Sequence, residues 1–169
     1  MNSFYKTFEI ATQQINLQEL EPKLVPHLQD FDFFHVTDLT GETVKWVEES
    51  GMQNGILTVF AHHTTCVLSI NELDEPCLLG DINQHLRNEI PKSKSYFHNG
   101  PLRWKNLCED DDKCDRNADA HIKSFLYGSP SQTMIIREGK VVWGQWQRLC
   151  LIDFDGPRNR KLSIQIIGE

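Results

Sequence analysis

The sequence predicts a single α+β domain spanning residues 1–169, with a mostly antiparallel sheet and about three helices. Two observations predict it. Helical stretches with recognisable starts and stops are few and sit between strand-like runs, and everything from Gln132 onward is strand-like without an intervening helix. A doubly wound parallel sheet would need a helix after nearly every strand, which this order does not supply. The length also suits one domain, since a chain of about this size buries on the order of 70% of its unfolded surface without help from disulfides.

Phe4–Ile10 alternates loosely and predicts a first strand, followed by a polar segment rich in Gln and Glu with weak apolar periodicity. The stretch TDLTGETVKWVEESG predicts a short helix, with Thr37, Asp38 and Thr40 as cap candidates, Val44 and Val47 on one face and Gly51 as the stop. NGILTVFAHHTTCVLSINE changes to strand composition, and a regular strand there puts Leu57, Val59, Ala61 and His63 on one face. DEPCLLGDINQHLRNEIP predicts a second helix, capped at Asp74, apolar at Leu78, Leu79, Ile82, Leu86 and Ile90, and stopped by Pro91. Residues 93–116 read as an irregular polar excursion carrying the acidic run Glu109–Asp112. RNADAHIKSFLYG predicts a third helix between Asn117 and Gly128. Then come QTMIIR, a turn at Glu138 and Gly139, the run KVVWGQWQRLCLIDFD, the loop DGPRNR and a last strand KLSIQIIGE, read as three strands ending on a hairpin.

Composition narrows the function classes. Apolar residues make up 39% and charged residues 24%, as in soluble globular proteins, and no stretch approaches the ~18 apolar residues of a membrane span. The start has no basic segment followed by an apolar one, so a cytoplasmic location is expected. The five cysteines are odd in number and irregularly spaced, three of them in apolar runs, so no oxidised framework is expected. A net charge of -7 argues against nucleic-acid binding, which relies on clustered Lys and Arg.

The residues with chemical potential are scattered. On a strand, His62 and His63 point to opposite faces, so one of them at most serves a given site. His98 lies in a polar loop, His121 in the first turn of the third helix, and His85 four residues after Asp81 on the second. Imidazole suits zinc-type metals, but no short signature links these histidines and only the fold can gather them. Glu72, Asp81 and Asp119 stand near them in sequence, as partners orienting the rings or as general bases; helix capping and a solvated face are the competing readings. Arg158 and Arg160 follow a Gly-Pro turn, where guanidinium groups clamp a phosphate or sit solvated at a hairpin tip. Cys108 and Cys114 in CEDDDKC do not have zinc-site spacing, and the acidic run lacks the pattern of a calcium loop.

Taken in order, HTTCVLSINE, Asp81, YFH, NADAHIKSFLYG, WGQWQ and DFDGPRNRK resemble the YjbQ-like family of small bacterial and archaeal proteins, often labelled secondary thiamine-phosphate synthase. The likeness is strongest from Gly55 to Glu169. It implies metal ligands at His63, His98 and His121, with Glu72, Asp81, Asn117, Trp146, Gln147 and Arg160 also on motif positions, and a homotrimer with sites near subunit contacts. His62 and His85 fall outside the motifs. The chain departs from the family at Gln145, where GTWQ is usual, and in a longer segment between His98 and Asn117. The functional expectation is a metal-dependent enzyme acting on a phosphorylated small molecule, with thiamine-phosphate synthase activity as the candidate the resemblance names. Glu72 and Asp81 would handle protons, Asn117, Arg158 and Arg160 would hold the anion, and a zinc-type ion would be the cofactor. The alternative is a non-catalytic metal- or metabolite-binding oligomer.

Overall fold

The computed structural model describes residues 1–13, 35–108 and 114–169. The Gln- and Glu-rich stretch after the first strand and the run Glu109–Asp112 lie outside the described residues. Strand β1 (Asn2–Ala11) pairs along its length with the C-terminal strand β8 (Asn159–Gly168), and β8 pairs on its other side with β3 (Gly55–Ala61). Beyond β3 lie β5 (Ser131–Arg137) and the two-residue β6 (Lys140–Val141), completing a five-stranded sheet. A second sheet has β7 (Arg148–Asp153) between β2 (His35–Asp38) and β4 (Cys66–Asn71). All pairings are antiparallel.

Period-2 alternation fixes which face is buried. Leu57, Val59 and Ala61 of β3, Leu162, Ile164 and Ile166 of β8, and Met134 and Ile136 of β5 turn inward against Leu149 and Leu151 of β7 and Cys66 and Leu68 of β4. Helix α1 (Thr40–Ser50) closes the core with Trp46 and Val47, and Trp46 meets Phe8 at a ring-centroid distance of 5.2 Å. Its end is set by Gly51, whose φ of 68° gives the left-handed stop that glycine takes without strain. Helix α2 (Pro76–Glu89) covers the outer face of the three-stranded sheet with Leu79 and Leu86. Its cap is Glu75, whose carboxylate accepts from the Cys77 and Leu78 N–H groups, while Asp74 pairs with Arg148 instead.

Several readings need correction. The HHTT strand is two strands in different sheets, joined by residues 62–65. The long run before the DGPRNR loop is likewise broken between β6 and β7, and β7 and β8 form no hairpin because the chain changes sheets there as well. The composition is strand-like throughout, so a change of sheet leaves no mark on periodicity. Within residues 93–116, a 3-10 turn (Phe97–Asn99) and helix α3 (Pro101–Leu107) stand where an irregular excursion was expected. Cys108 and Cys114 form a disulfide, with Cα atoms 5.7 Å apart, well within the range such a bond spans. Cys66, Cys77 and Cys150 are free. Helix α4 (Ala118–Tyr127) matches its prediction. Among the described residues no helix is long and apolar enough to cross a membrane.

Candidate functional site

The site follows from the topology. Two crossings between sheets occur at the same end of the molecule: residues 62–65 leave β3 for β4, and residues 154–158 leave β7 for β8. Register brings them together, with Ala61 opposite Leu162 and Cys66 opposite Asp153. Backbone freed from the ladders here is satisfied by side chains, and the polar groups converge.

At the centre lies a buried ion pair. Asp153 is 0% and Arg160 3% exposed at the side chain. Arg160 donates from Nε to Asp153 Oδ2 at 2.8 Å and from Nη2 to Oδ1 at 2.8 Å, and Asp153 also accepts from Thr12 Oγ1 and the Asp155 N–H. Burial alone would raise the Asp153 pKa, but the hydrogen bonds from Arg160, Asp155 and Thr12 outweigh it and hold the carboxyl below its usual range. Burial first, then Asp153, pushes the neighbouring Cys66 thiol up to about 12 against the opposing charge of Arg160, which keeps it inert.

The pair reaches His63 through one residue. Arg160 Nη2 donates to Thr65 Oγ1 at 3.3 Å, and Thr65 Oγ1 lies 2.9 Å from His63 Nδ1. The Thr65 N–H also donates to Nδ1 at 3.3 Å, so Nδ1 accepts and Nε2, which makes no hydrogen bond among the described residues, carries the proton of the neutral ring. Burial, then the Arg160 charge, lowers the His63 pKa, favouring neutral imidazole. His62 also lines the cleft that His63 and His121 share, but its Nε2 bonds Ser163 Oγ at 2.7 Å and its ring meets Phe60 edge-on, on the outer face of the five-stranded sheet.

A second chain of bonds organises His98 and His121. Asn117 Nδ2 donates to Asp155 Oδ2 at 2.8 Å, which fixes the amide's orientation because a carboxylate only accepts. Asn117 Oδ1 is therefore the acceptor toward His98 Nε2 at 3.2 Å, so that nitrogen carries the proton and Nδ1 is free. The His98 and His121 rings stand 5.2 Å apart between centroids. Burial, then His98, lowers the His121 pKa. The alignment of the 3-10 turn on α4 is secured by Asn99, which caps the Ala118 N–H at 3.1 Å. His63 and His121 share the wall of a cleft of about 830 Å³.

The remaining predicted residues are placed differently. Glu72 and Asp81 line a separate cleft beneath α2 with His85, and the structure does not bring them to the three histidines. Arg160, expected to hold an anion, is committed to Asp153 and Thr65. Arg158 is half exposed but paired with Asp115 at 2.9 Å and Asp155 at 3.2 Å. Asp119 is ion-paired with Lys123 rather than with His121. Asp153 and Asp155 were not singled out from sequence; the signal was alternating carboxylates in DFDG at a strand end. At His98 the donor chemistry suits a zinc-type ion, since Nε2 donates to Asn117 Oδ1 and Nδ1 makes no hydrogen bond among the described residues; at His63, ligation through Nε2 would need the ring proton moved to Nδ1, with Thr65 Oγ1 as its acceptor. Among the described residues, no three His, Cys, Asp or Glu side chains are gathered as a ready ligand set.

The sequence pattern of the UPF0047 protein YjbQ-like family matches residues 27–169. The chain belongs to this family. A UPF0047 protein of Methanocaldococcus jannaschii is 36% identical over 134 residues, covering 79% of this chain and 86% of that protein. The UPF0047 protein YugU of Bacillus subtilis is 30% identical over 131 residues, covering 78% and 88%. Among solved structures, a YbjQ-like protein of unknown function from Sulfolobus solfataricus aligns with a TM-score of 0.70 and 27% identity, over 99% of both chains. An uncharacterized conserved protein of the YjbQ/UPF0047 family from Clostridium acetobutylicum gives 0.69 and 31%, over 96% of this chain and 99% of that one.

Proposed function

We propose that this YjbQ-like protein is a metal-dependent enzyme acting on a phosphorylated small molecule, with thiamine-phosphate synthase activity as the named candidate. The observation that carries the reading is the Asp155–Asn117–His98 chain beside His121. It spends polar groups on orienting the His98 imidazole 5.2 Å from the ring of His121, which lines the cleft, as supporting residues do around metal ligands. His63, His98 and His121 would hold a zinc-type ion, which when bound supplies positive charge against phosphate and activates water. The protein's own part is orientation. Thr65 holds His63, Asn117 holds His98, and Arg158, ion-paired with Asp155 of this network, is available to an anion that displaces Asp115.

A second reading, a metal- or metabolite-binding protein without turnover, is favoured by one observation. Glu72 and Asp81 line the other cleft, and Asp155, the carboxylate tied to His98 through Asn117, is occupied by Asn117 and Arg158. A screen of phosphate monoesters and thiamine precursors with zinc-loaded protein separates the two. Turnover that is lost in His121→Ala and kept in His62→Ala is expected. Tight zinc binding without turnover would establish the second reading, and turnover unchanged in metal-free protein would overturn the metal-dependent one.

A cytoplasmic homotrimer is part of the same proposal. The outer face of the five-stranded sheet exposes Ile56, Phe60 and Ile135, the last at 62%, apolar surface suited to another copy of the chain. Light scattering at micromolar concentration is expected to give three times the monomer mass; a monomer would refute the assembly.

A further inference from the structure

We propose that the cavity between α2 and the first turns of α4 is a binding site for a small anion bearing phosphate or carboxylate, separate from the histidine cleft. The cavity measures about 520 Å³, and Asn83, Arg87, Lys92, Asp119 and Lys123 contribute to its lining. Asn83 is the decisive residue. It sits on the buried side of α2, 2% exposed, and its Nδ2 has no hydrogen-bond partner among the described residues. Buried polar side chains in native proteins are nearly always bonded, so an unpartnered amide lining a cavity is explained by a partner that comes from the cavity. The missing partner is an acceptor.

Charge gives the sign of the ligand. The lining carries three cations against one carboxylate, in a chain whose net charge is -7. Lys123 is paired with Asp119 at 2.9 Å, both side chains largely buried. Arg87 and Lys92 have no carboxylate partner among the described residues. Arg87 in the last turn of α2 also suits the helix dipole, and alone it would be an ordinary solvated side chain. Its place beside an unpartnered buried amide distinguishes it. The site is distinct from the histidine cleft because Asp119 and Lys123, i and i+4, share one face of α4, while His121 lies about 200° round the helix from Asp119. In the neighbouring loop Phe154 and Gly156 line this cavity, whereas Asp155 reaches Asn117.

The test is a titration of the full-length protein with inorganic phosphate and, in a separate arm, citrate, at constant ionic strength, followed by NMR of backbone and side-chain amides. Saturable shifts at the Asn83 side chain and around Arg87 and Ser93 are expected, and the arm that produces them identifies the headgroup. Affinity should fall about tenfold or more in Arg87→Gln/Lys92→Gln, as loss of charge-assisted hydrogen bonds implies. It should not change in Arg158→Gln or His121→Ala, so failure of the histidine-site reading leaves this result intact. Asn83→Leu should raise Tm without ligand and remove the Tm increase that the ligand produces. Shifts confined to the histidine cleft, non-saturating shifts that indicate an adventitious ion only, or equal affinity in wild type and the double variant would overturn the proposal. So would an Asn83→Leu protein with lowered Tm that keeps the ligand effect.

Discussion

Asp153→Ala is expected to cost about 3–5 kcal/mol of folding stability, because it leaves the Arg160 guanidinium buried without its counter-charge. Most single substitutions cost far less, and this one is severe for a named reason: with a side chain 3% exposed, Arg160 cannot turn to water for compensation. Arg160→Met should cost less, since a carboxyl left alone can take up a proton whereas a guanidinium cannot release one. The double variant should recover much of the loss, as buried ion pairs are often replaceable by apolar groups. The pair also fixes the pH response. The folded pKa of Asp153 is lowered, so its stabilisation is fully present above the unfolded carboxylate value of about 3.9 and is lost as pH falls through the lower folded value. Urea melts from neutral to strongly acid pH measure both effects. A loss below about 1 kcal/mol in Asp153→Ala, or an unchanged acid limb in Asp153→Asn, would show that the pair lacks this role.

Much of the scaffold was legible because it obeys local rules. Gly51 stops α1, the alternation of Leu162, Ile164 and Ile166 marks β8, and α4 lies between Asn117 and Gly128, the residues that mark its start and stop. Helix α3 was not legible because none of its residues is buried, so it has no apolar stripe for periodicity to detect. The changes of sheet after Ala61 and Asp153 were hidden for the opposite reason: the strands on either side have the same composition. This matters for the site. Asn117 and His121 are neighbours by helix geometry alone, but the meeting of Thr65, Asp153 and Arg160 depends on the register of β4 on β7, which no local pattern encodes. Reading Arg160 as exposed followed from placing its loop at a hairpin tip; with β7 and β8 in different sheets, the side chain turns into the crossing instead.

Zinc uptake is expected to be lost in His121→Ala and unchanged in His62→Ala, in a chain that takes up about one zinc-type ion through His63, His98 and His121. The contrast is large because the two histidines have different ring partners. His62, His63 and His121 all line the same cleft, but His62 Nε2 is tied to Ser163 on the outer face of the five-stranded sheet, whereas His121 stands 5.2 Å from the His98 ring. Two imidazoles alone make an incomplete shell for this metal, so loss of the third should exceed the effect of any supporting residue. That supporting effect has its own test. Asn117→Leu removes the acceptor that keeps the His98 proton on Nε2 and should weaken zinc binding by about 10–100-fold. Although Asn117 stands at the start of α4, its side chain makes no capping hydrogen bond, so the helix loses no cap in this variant. Competition against a chelator of known affinity measures all three proteins together with wild type. Equal losses in His62→Ala and His121→Ala would remove the assignment, and full affinity in Asn117→Leu would show that Asp155 and Asn117 do not act through His98.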